Sequence, residues 1–369
     1  MPFFKYESIV HFIFKRIWEA YSLFLVVGLV LMSIMVIGLW GHMHHIYHWA
    51  DAEAVATDRI LQHKSSFLNP VFYTVGTLGF LGIWSFFAFK IRSLSLAEDN
   101  NGGLNDFSWH NSIRKWAAAF LPIAAFSSAA MIWQWIMSID AHWYSTMFAW
   151  YTSASWFVAA ICLTILTIIY LKTRGYLDQV TDEHIHDLGK FLFAFSIFWT
   201  YLWFSQYMLI WYANVGEETI YFKERVDNYP VLFYGNLLIN FVLPFFVLMR
   251  NSTKRKYGSI AFVSIVVFFG HWWDFFNMIK PGALHTALEA ASHADGMHGM
   301  ADAAHGGEHG AEMAHAAFTA GFTIPGLLEL GTFLGFFGLF FYVVFHHLSK
   351  ASLEAKNDPY LVESVHHHV

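Results

Sequence analysis

Only one cysteine, Cys162, occurs in 369 residues. A lone thiol builds no intrachain disulfide, no iron–sulfur cluster and no zinc centre. Lying in an apolar run, Cys162 reads as a small buried hydrophobe. A CxxCH segment is lacking too, which excludes covalent haem c on this chain. Charge is scarce. Asp, Glu, Lys and Arg make up 13% of the residues, about half the roughly 25% usual in soluble domains. No basic patch with interleaved polar residues exists, so nucleic acid is excluded as a partner. Well inside the apolar runs, proline is confined to Pro122 and Pro244. These form no matched pair and no internal repeat accompanies them, which argues against a secondary transporter. The histidine-rich tract has irregular ligand spacing and no cysteine joins it, so no dedicated metal centre is expected.

What is abundant is apolar surface. The chain is 57% hydrophobic and 20% aromatic, a composition of integral membrane proteins. A helix crosses the hydrocarbon in about 20 residues. Eight segments satisfy this: 21–47, 69–92, 115–139, 150–172, 189–213, 230–250, 258–279 and 325–347. Their length predicts an all-α polytopic bundle, because a barrel needs short alternating strands. Residues 1–20 form a cytoplasmic N-terminal segment, with 8–20 expected to lie along the interface as an amphipathic helix. The bundle spans 21–348, and 349–369 is a cytoplasmic tail. No small-residue cleavage site follows Lys5, Lys15 and Arg16, so the first span reads as uncleaved.

Basic residues set the orientation. Lys90, Arg92, Arg114 and Lys115 flank loop 93–114; Lys172, Arg174 and Lys190 flank loop 173–188; Arg250, Lys254, Arg255 and Lys256 crowd a short loop; Lys350 and Lys356 follow the last span. Loop 140–149 has neither Lys nor Arg, and loop 280–324 has only Lys280. Both termini are therefore expected in the cytoplasm of a bacterial inner membrane, with loops 48–68, 140–149, 214–229 and 280–324 in the periplasm. Within the last lies a His-, Ala- and Gly-rich tract, 282–323, read as a low-complexity insertion with adventitious metal affinity, as is the terminal HHH of 366–368.

Ionisable groups in a membrane are costly and mark function. Four outward span ends carry polar clusters. The third holds Gln134, Ser138, Asp140 and His142; the i, i+4, i+8 spacing of Gln134, Ser138 and His142 puts them on one face if the helix continues. The fifth holds Gln206 and Asn214, with Glu217 and Glu218 at the mouth. The seventh holds His271 and Asp274, with Asn277 and Met278 beyond. The first holds His42, His44, His45 and His48, which suit an interfacial belt equally well. Glu183 and Asp187, at an inward end, read as loop charges. A quinone headgroup needs hydrogen-bond partners at both oxygens and aromatic walls. Quinol oxidation also releases protons to acceptors such as His and a carboxylate. Asp140, His142 and Asp274, with Trp135, Trp143, Trp272 and Trp273, are of the right types. Haem b would need paired histidines deep in facing spans, and most histidines here sit at span ends.

The segments "WIMSIDAHWYSTMFAWY" (135–151) and "FSQYMLIWYANVGEET" (204–219) resemble one family: the quinone-binding subunit 2, or F subunit, of quinol:cytochrome c oxidoreductase, the bacterial alternative complex III. That family is similar to the NrfD and polysulfide-reductase membrane anchors. The resemblance runs from Gly41 onward and includes "RILQHKSSFLN" at 59–69. It implies a respiratory complex with a paralogous C-type membrane subunit, an iron–sulfur subunit of molybdopterin-oxidoreductase type, and pentahaem and monohaem cytochrome c subunits. Such a complex oxidises menaquinol and reduces a cytochrome c or a terminal cytochrome oxidase. Haem c and iron–sulfur clusters then belong to partners, and this chain, surrounded by membrane lipids, has no complete active site of its own. By position Asp140, His142, Trp143, Tyr144, Gln206, Tyr207, Asn214, Glu217 and Glu218 fall in the family motifs. Two departures are plain. Val215-Gly216 stands where many members have Ile-Pro, and many members carry two further N-terminal spans. A contribution to a periplasm-side quinol site or proton path is the first expectation; a purely structural scaffold is the alternative.

Overall fold

The computed structural model describes residues 11–103, 106–294, 325–361 and 364. Among these, every regular element is a helix. α1 (His11–Ser22) runs into α2 (Phe24–Trp40). Then follow α3 (Pro70–Asn101), α4 (Phe107–Trp135), α5 (Met147–Thr173), α6 (Asp182–Ala213) and the short α7 (Gly216–Asn228). α8 covers Pro230–Leu248, α9 Tyr257–Ala294 and α10 Leu327–Leu348. Eight helical stretches, with α1 and α2 taken together, are long and apolar enough to cross a membrane. The chain is an all-α, multi-pass membrane bundle.

Four boundaries differ from expectation, each for a physical reason. The 8–20 segment is helical, as expected, where it is described, but it packs into the bundle. Ile13, Phe14, Arg16 and Ile17 are buried, while Trp18 Nε1 and the Tyr21 hydroxyl bond Thr164 and Thr167 of α5. α6 begins at Asp182, so Asp187 is a buried helix residue paired with Lys190, and Glu183 pairs with Arg255. The stretch 214–229 is mostly helical, with Tyr221, Phe222 and Arg225 on its buried face. α9 runs on to Ala294 through the run "GALHTALEAASHA", whose alanines and leucines favour helix. The rest of the His-rich tract and the terminal histidines lie outside the described residues.

α5 is the central helix. Val158, Cys162, Ile165 and Ile168 on it are fully buried, whereas α10 leaves Leu327, Leu328, Leu334, Phe336 and Tyr342 open. In lipid, apolar contact gives no preference for protein over acyl chains, so close packing and interhelical hydrogen bonds hold such a bundle. The polar bonds gather at two levels. At the end bearing both termini, Arg16 bonds Glu19, Ser95 and Asp99, and Arg92 bonds the His347 carbonyl. At the other end, Lys64 bonds the carbonyls of Ala141 and His142, and Lys280 pairs with Glu329.

Candidate functional site

The third expected cluster is broken up by the end of α4. The helix stops at Trp135, a 3-10 turn follows over Met137–Ile139, and Ser138 returns its hydroxyl to the Gln134 carbonyl at 2.5 Å. Outside groups take the carbonyls a longer helix would have used: the Tyr47 hydroxyl bonds Trp135 O at 3.0 Å and Lys64 Nζ bonds Ala141 O at 2.6 Å. Burial lowers the Lys64 pKa from its ordinary value, with Asp58 and Glu217 opposing. So Gln134, Ser138 and His142 do not share a face. Gln134 is buried against Gly76 of α3. His142 turns outward to pair with Asp58.

Asp140 instead meets a residue sequence reasoning passed over, Arg225. The guanidinium lies 3.0 Å from Asp140 Oδ2 and is buried. It also donates to the carbonyls of Tyr221, Asn277 and Met278, each at 3.0 Å. The Asn277 carbonyl has no helical donor, because its i+4 residue is Pro281, which lacks an N–H. Arg225 supplies what α9 cannot. Its guanidinium carbon lies 3.3 Å from the Tyr221 ring centre, and Tyr221 stacks on Trp143 at 4.0 Å. Burial pushes the Tyr221 hydroxyl above its ordinary pKa. Asp140 reaches this seat only because residue 282 is glycine: a Cβ there would stand 2.6 Å from Asp140 Oδ1. A cavity of about 230 Å³ opens here, lined by Asp140, His142, Glu217, Tyr221, Glu224 and Arg225, with His48 and His285 at its wall.

His271 and Asp274 lie elsewhere, in the interior. Both are buried, and Asp274 precedes Gly282 by eight residues, about 12 Å along the helix axis. Four neutral donors surround the carboxylate. The Tyr151 hydroxyl and Asn236 Nδ2 (2.6 Å) reach Oδ1; the Ser155 hydroxyl (3.1 Å) and Trp199 Nε1 (3.2 Å) reach Oδ2. Among the described residues no Lys or Arg pairs with it. Hydrogen bonds replace the missing cation. The Ser155 hydroxyl has one proton to give. If it goes to Asp274, His271 Nδ1, 2.8 Å away, must carry the proton that bonds the Ser155 oxygen. In that arrangement the imidazole is the Nδ1–H tautomer and Nε2 is a buried lone pair with no partner among the described residues.

The donors come from α5, α6 and α8, and α8 is deformed to bring them. Leu238–Val242 is a π-helical bulge around Asn240, whose Nδ2 bonds Asn236 Oδ1 at 2.6 Å. Pro244 stands four residues after Asn240 and denies its carbonyl the usual i+4 donor, and such bulges gather at functional sites. On α9, Gly270 faces the bulge; a Cβ there would run into Asn240 Oδ1 and Ile239.

The remaining expected residues spread around these centres. Gln206, buried with Nε2 unpartnered, lies seven residues beyond Trp199 on the same face of α6. Tyr207 packs with Trp203, Phe222 and Phe233. Asn214 ends α6 in the left-handed conformation, φ 49°, and is exposed. Glu218 receives the Trp143 indole at its carbonyl, and Tyr144 is exposed near Lys64. Nor does the expected aromatic wall assemble. Trp135 bonds Thr77, Trp273 bonds the Leu232 carbonyl, and Trp272 packs on Phe333. Sequence reasoning missed Arg225, Tyr151, Ser155, Trp199, Asn236 and Asn240. The usable signals were polar pairs four apart in apolar runs, Tyr151 with Ser155 and Asn236 with Asn240.

The Asp58–His142 pair ties loop 48–68 to the 140s. Burial alone would raise the Asp58 pKa, but hydrogen bonds from His142 and the Ile60 and Leu61 amides outweigh it and hold the carboxyl below its ordinary value of 3.8. A depressed carboxylate stabilises the fold above its unfolded value and loses that contribution as pH falls through the folded one. His142 is half exposed, so the pair is worth less than about 1 kcal/mol. Asp58→Asn is expected to lower the melting temperature slightly near pH 6, with the gap to wild type closing as the pH falls below the ordinary value of 3.8. A pH-independent gap would contradict this. Set against protein-family models the chain matches none, and no curated protein matches it.

Proposed function

We propose that the chain is a membrane subunit of a bacterial quinol:cytochrome c oxidoreductase of the alternative complex III type, and that it moves protons for quinol oxidation carried out with its partners. The partners are the paralogous membrane subunit, the iron–sulfur subunit and the cytochrome c subunits; menaquinol is the electron source. Both termini face the cytoplasm of the inner membrane in this reading. The observation that carries it is Asp274, a carboxylate inside the bundle, ringed by neutral donors and paired with no Lys or Arg. Ionisable groups in such positions serve proton relays. His271, joined through Nδ1 to the Ser155 hydroxyl that bonds Asp274, keeps an Nε2 with no partner among the described residues. The cavity at Asp140 is about 230 Å³, below the roughly 300–1,000 Å³ of pockets that enclose a drug-sized ligand. It suits water and protons better than a quinol ring with its tail. The quinol therefore reacts at a surface shared with a partner.

The scaffold reading draws on the same cluster. Every donor to Asp274 is in place, and a fully satisfied polar network also specifies a fold. The identity of the complex is tested by purifying the chain from its native membrane under mild detergent. Covalent haem c is expected to co-purify in a fixed ratio, seen in the pyridine haemochrome spectrum. A chain that arrives without c-type haem, or with a b-type Soret band of its own, contradicts the assignment.

A further inference from the structure

At the end of the bundle that bears both termini, three distant segments bring a metal-ligand set together. Glu98 lies in the last turn of α3, His110 near the start of α4, and Asp358 in the tail that follows α10. One donor atom from each lies within 4.8 Å of the other two. Neither carboxylate is at the surface: Glu98 and Asp358 are both 0% exposed. Local spacing could not reveal this set, since its members stand 12 and 248 residues apart in the chain.

The set has a cationic seat. Lys15 Nζ sits between the carboxylates, 2.7 Å from Glu98 Oε2 and 3.0 Å from Asp358 Oδ2. Glu98 Oε1 is buried and has no partner among the described residues. Around the seat, Arg16 is bonded to Glu19 and Asp99, and Arg92 stands near Glu19. Among the described residues this network holds four carboxylates, Glu19, Glu98, Asp99 and Asp358. Arg16 and Arg92 match two of them. The single charge of Lys15 leaves one over, whereas a divalent ion in its place would balance the set. Buried uncompensated charge is expensive. Lys15 has a flexible stem and can swing its amine to water.

We propose that Glu98, His110 and Asp358 bind a divalent transition-metal ion of the zinc class, which displaces the Lys15 ammonium and fastens the C-terminal tail to α3 and α4. One imidazole and two carboxylates at about 2.0–2.2 Å are ordinary zinc ligands, with water completing a tetrahedron. The tail is already laid down for this. Lys356 N bonds Asp99 Oδ1 at 2.9 Å, Asn357 Nδ2 bonds the Asp99 carbonyl at 2.9 Å, and the Tyr360 ring packs on His110 at 5.1 Å. The ion would add a bond between tail and bundle that no solvent-exposed contact matches.

The test is trypsin cleavage after Lys356, an exposed residue two positions from Asp358, in the full-length chain in detergent, with and without Zn2+. This readout is local to the tail, and zinc bound by the histidines of 366–368 would protect His110→Ala as well as the wild type. In the wild type Zn2+ is expected to slow cleavage at least tenfold. Lys15→Gln should reach the same protection at lower Zn2+, because the competing cation is gone. His110→Ala should show no protection. Equal wild-type rates with and without Zn2+ would overturn the proposal. So would undiminished protection in His110→Ala.

Discussion

Arg225→Met is expected to destabilise the protein by about 3 kcal/mol, the lower end of the range for breaking one side of a buried ion pair. Methionine fills much of the same volume, so packing is not what is lost. What is lost is a set of donors. Asp140 loses its partner, though its side chain is 26% exposed and water recovers part of that. The carbonyls suffer more. Asn277 O faces Pro281 and has no N–H of its own helix to return to. A buried acceptor left without a donor costs about 1–3 kcal/mol. Adding Asp140→Asn to Arg225→Met should restore about 1 kcal/mol, because it removes the orphaned charge and leaves the orphaned carbonyl. Thermal unfolding of the wild type and the two variants in one detergent measures this. If Arg225→Met melts like the wild type, Arg225 is not what closes the bundle at this end.

How much of this could be read from the chain depends on whether the cause is local. The spans could, because hydrophobic length is a property of a segment. Asp274 with His271 could, because both stand on one uninterrupted helix at i, i+3, and the structure puts them in one cluster. Ser138 and His142 were found as polar residues and would share a face with Gln134 only if the helix continued. That helix ends at Trp135, where groups distant in the chain, Tyr47 and Lys64, bond the carbonyls of Trp135 and Ala141. Arg225 read as one charge in an acidic loop, since nothing local says that it crosses to α9. The donor set around Asp274 was invisible for the same reason. Tyr151, Trp199 and Asn236 each belong to a different helix, and only packing makes them neighbours. Pro244 and Pro281 were visible, but their effect is to free a carbonyl, and which group answers it is a tertiary fact. The Lys15, Glu98 and Asp358 network repeats the lesson at the other end, since its members are distant in the chain.

The central claim is that Asp274 carries protons and does not merely hold helices together. Asp274→Asn separates the two. Asparagine keeps the shape: with its amide oxygen in the Oδ1 place it still accepts from Tyr151 and Asn236, and its NH2 can donate to the Ser155 oxygen, so the four helices keep most of their bonds. Each interhelical bond lost in a membrane costs on the order of 0.6 kcal/mol, too little to prevent assembly. It cannot take up and release a proton near neutral pH, and a lost proton-transfer group typically costs about 10²–10⁴ in rate. The decisive measurement is menaquinol oxidation per assembled complex, normalised to haem c, for Asp274→Asn beside the wild type. The account predicts a normal yield of complex and a turnover at least about a hundredfold lower. A normal turnover per complex would contradict it and leave this chain a scaffold.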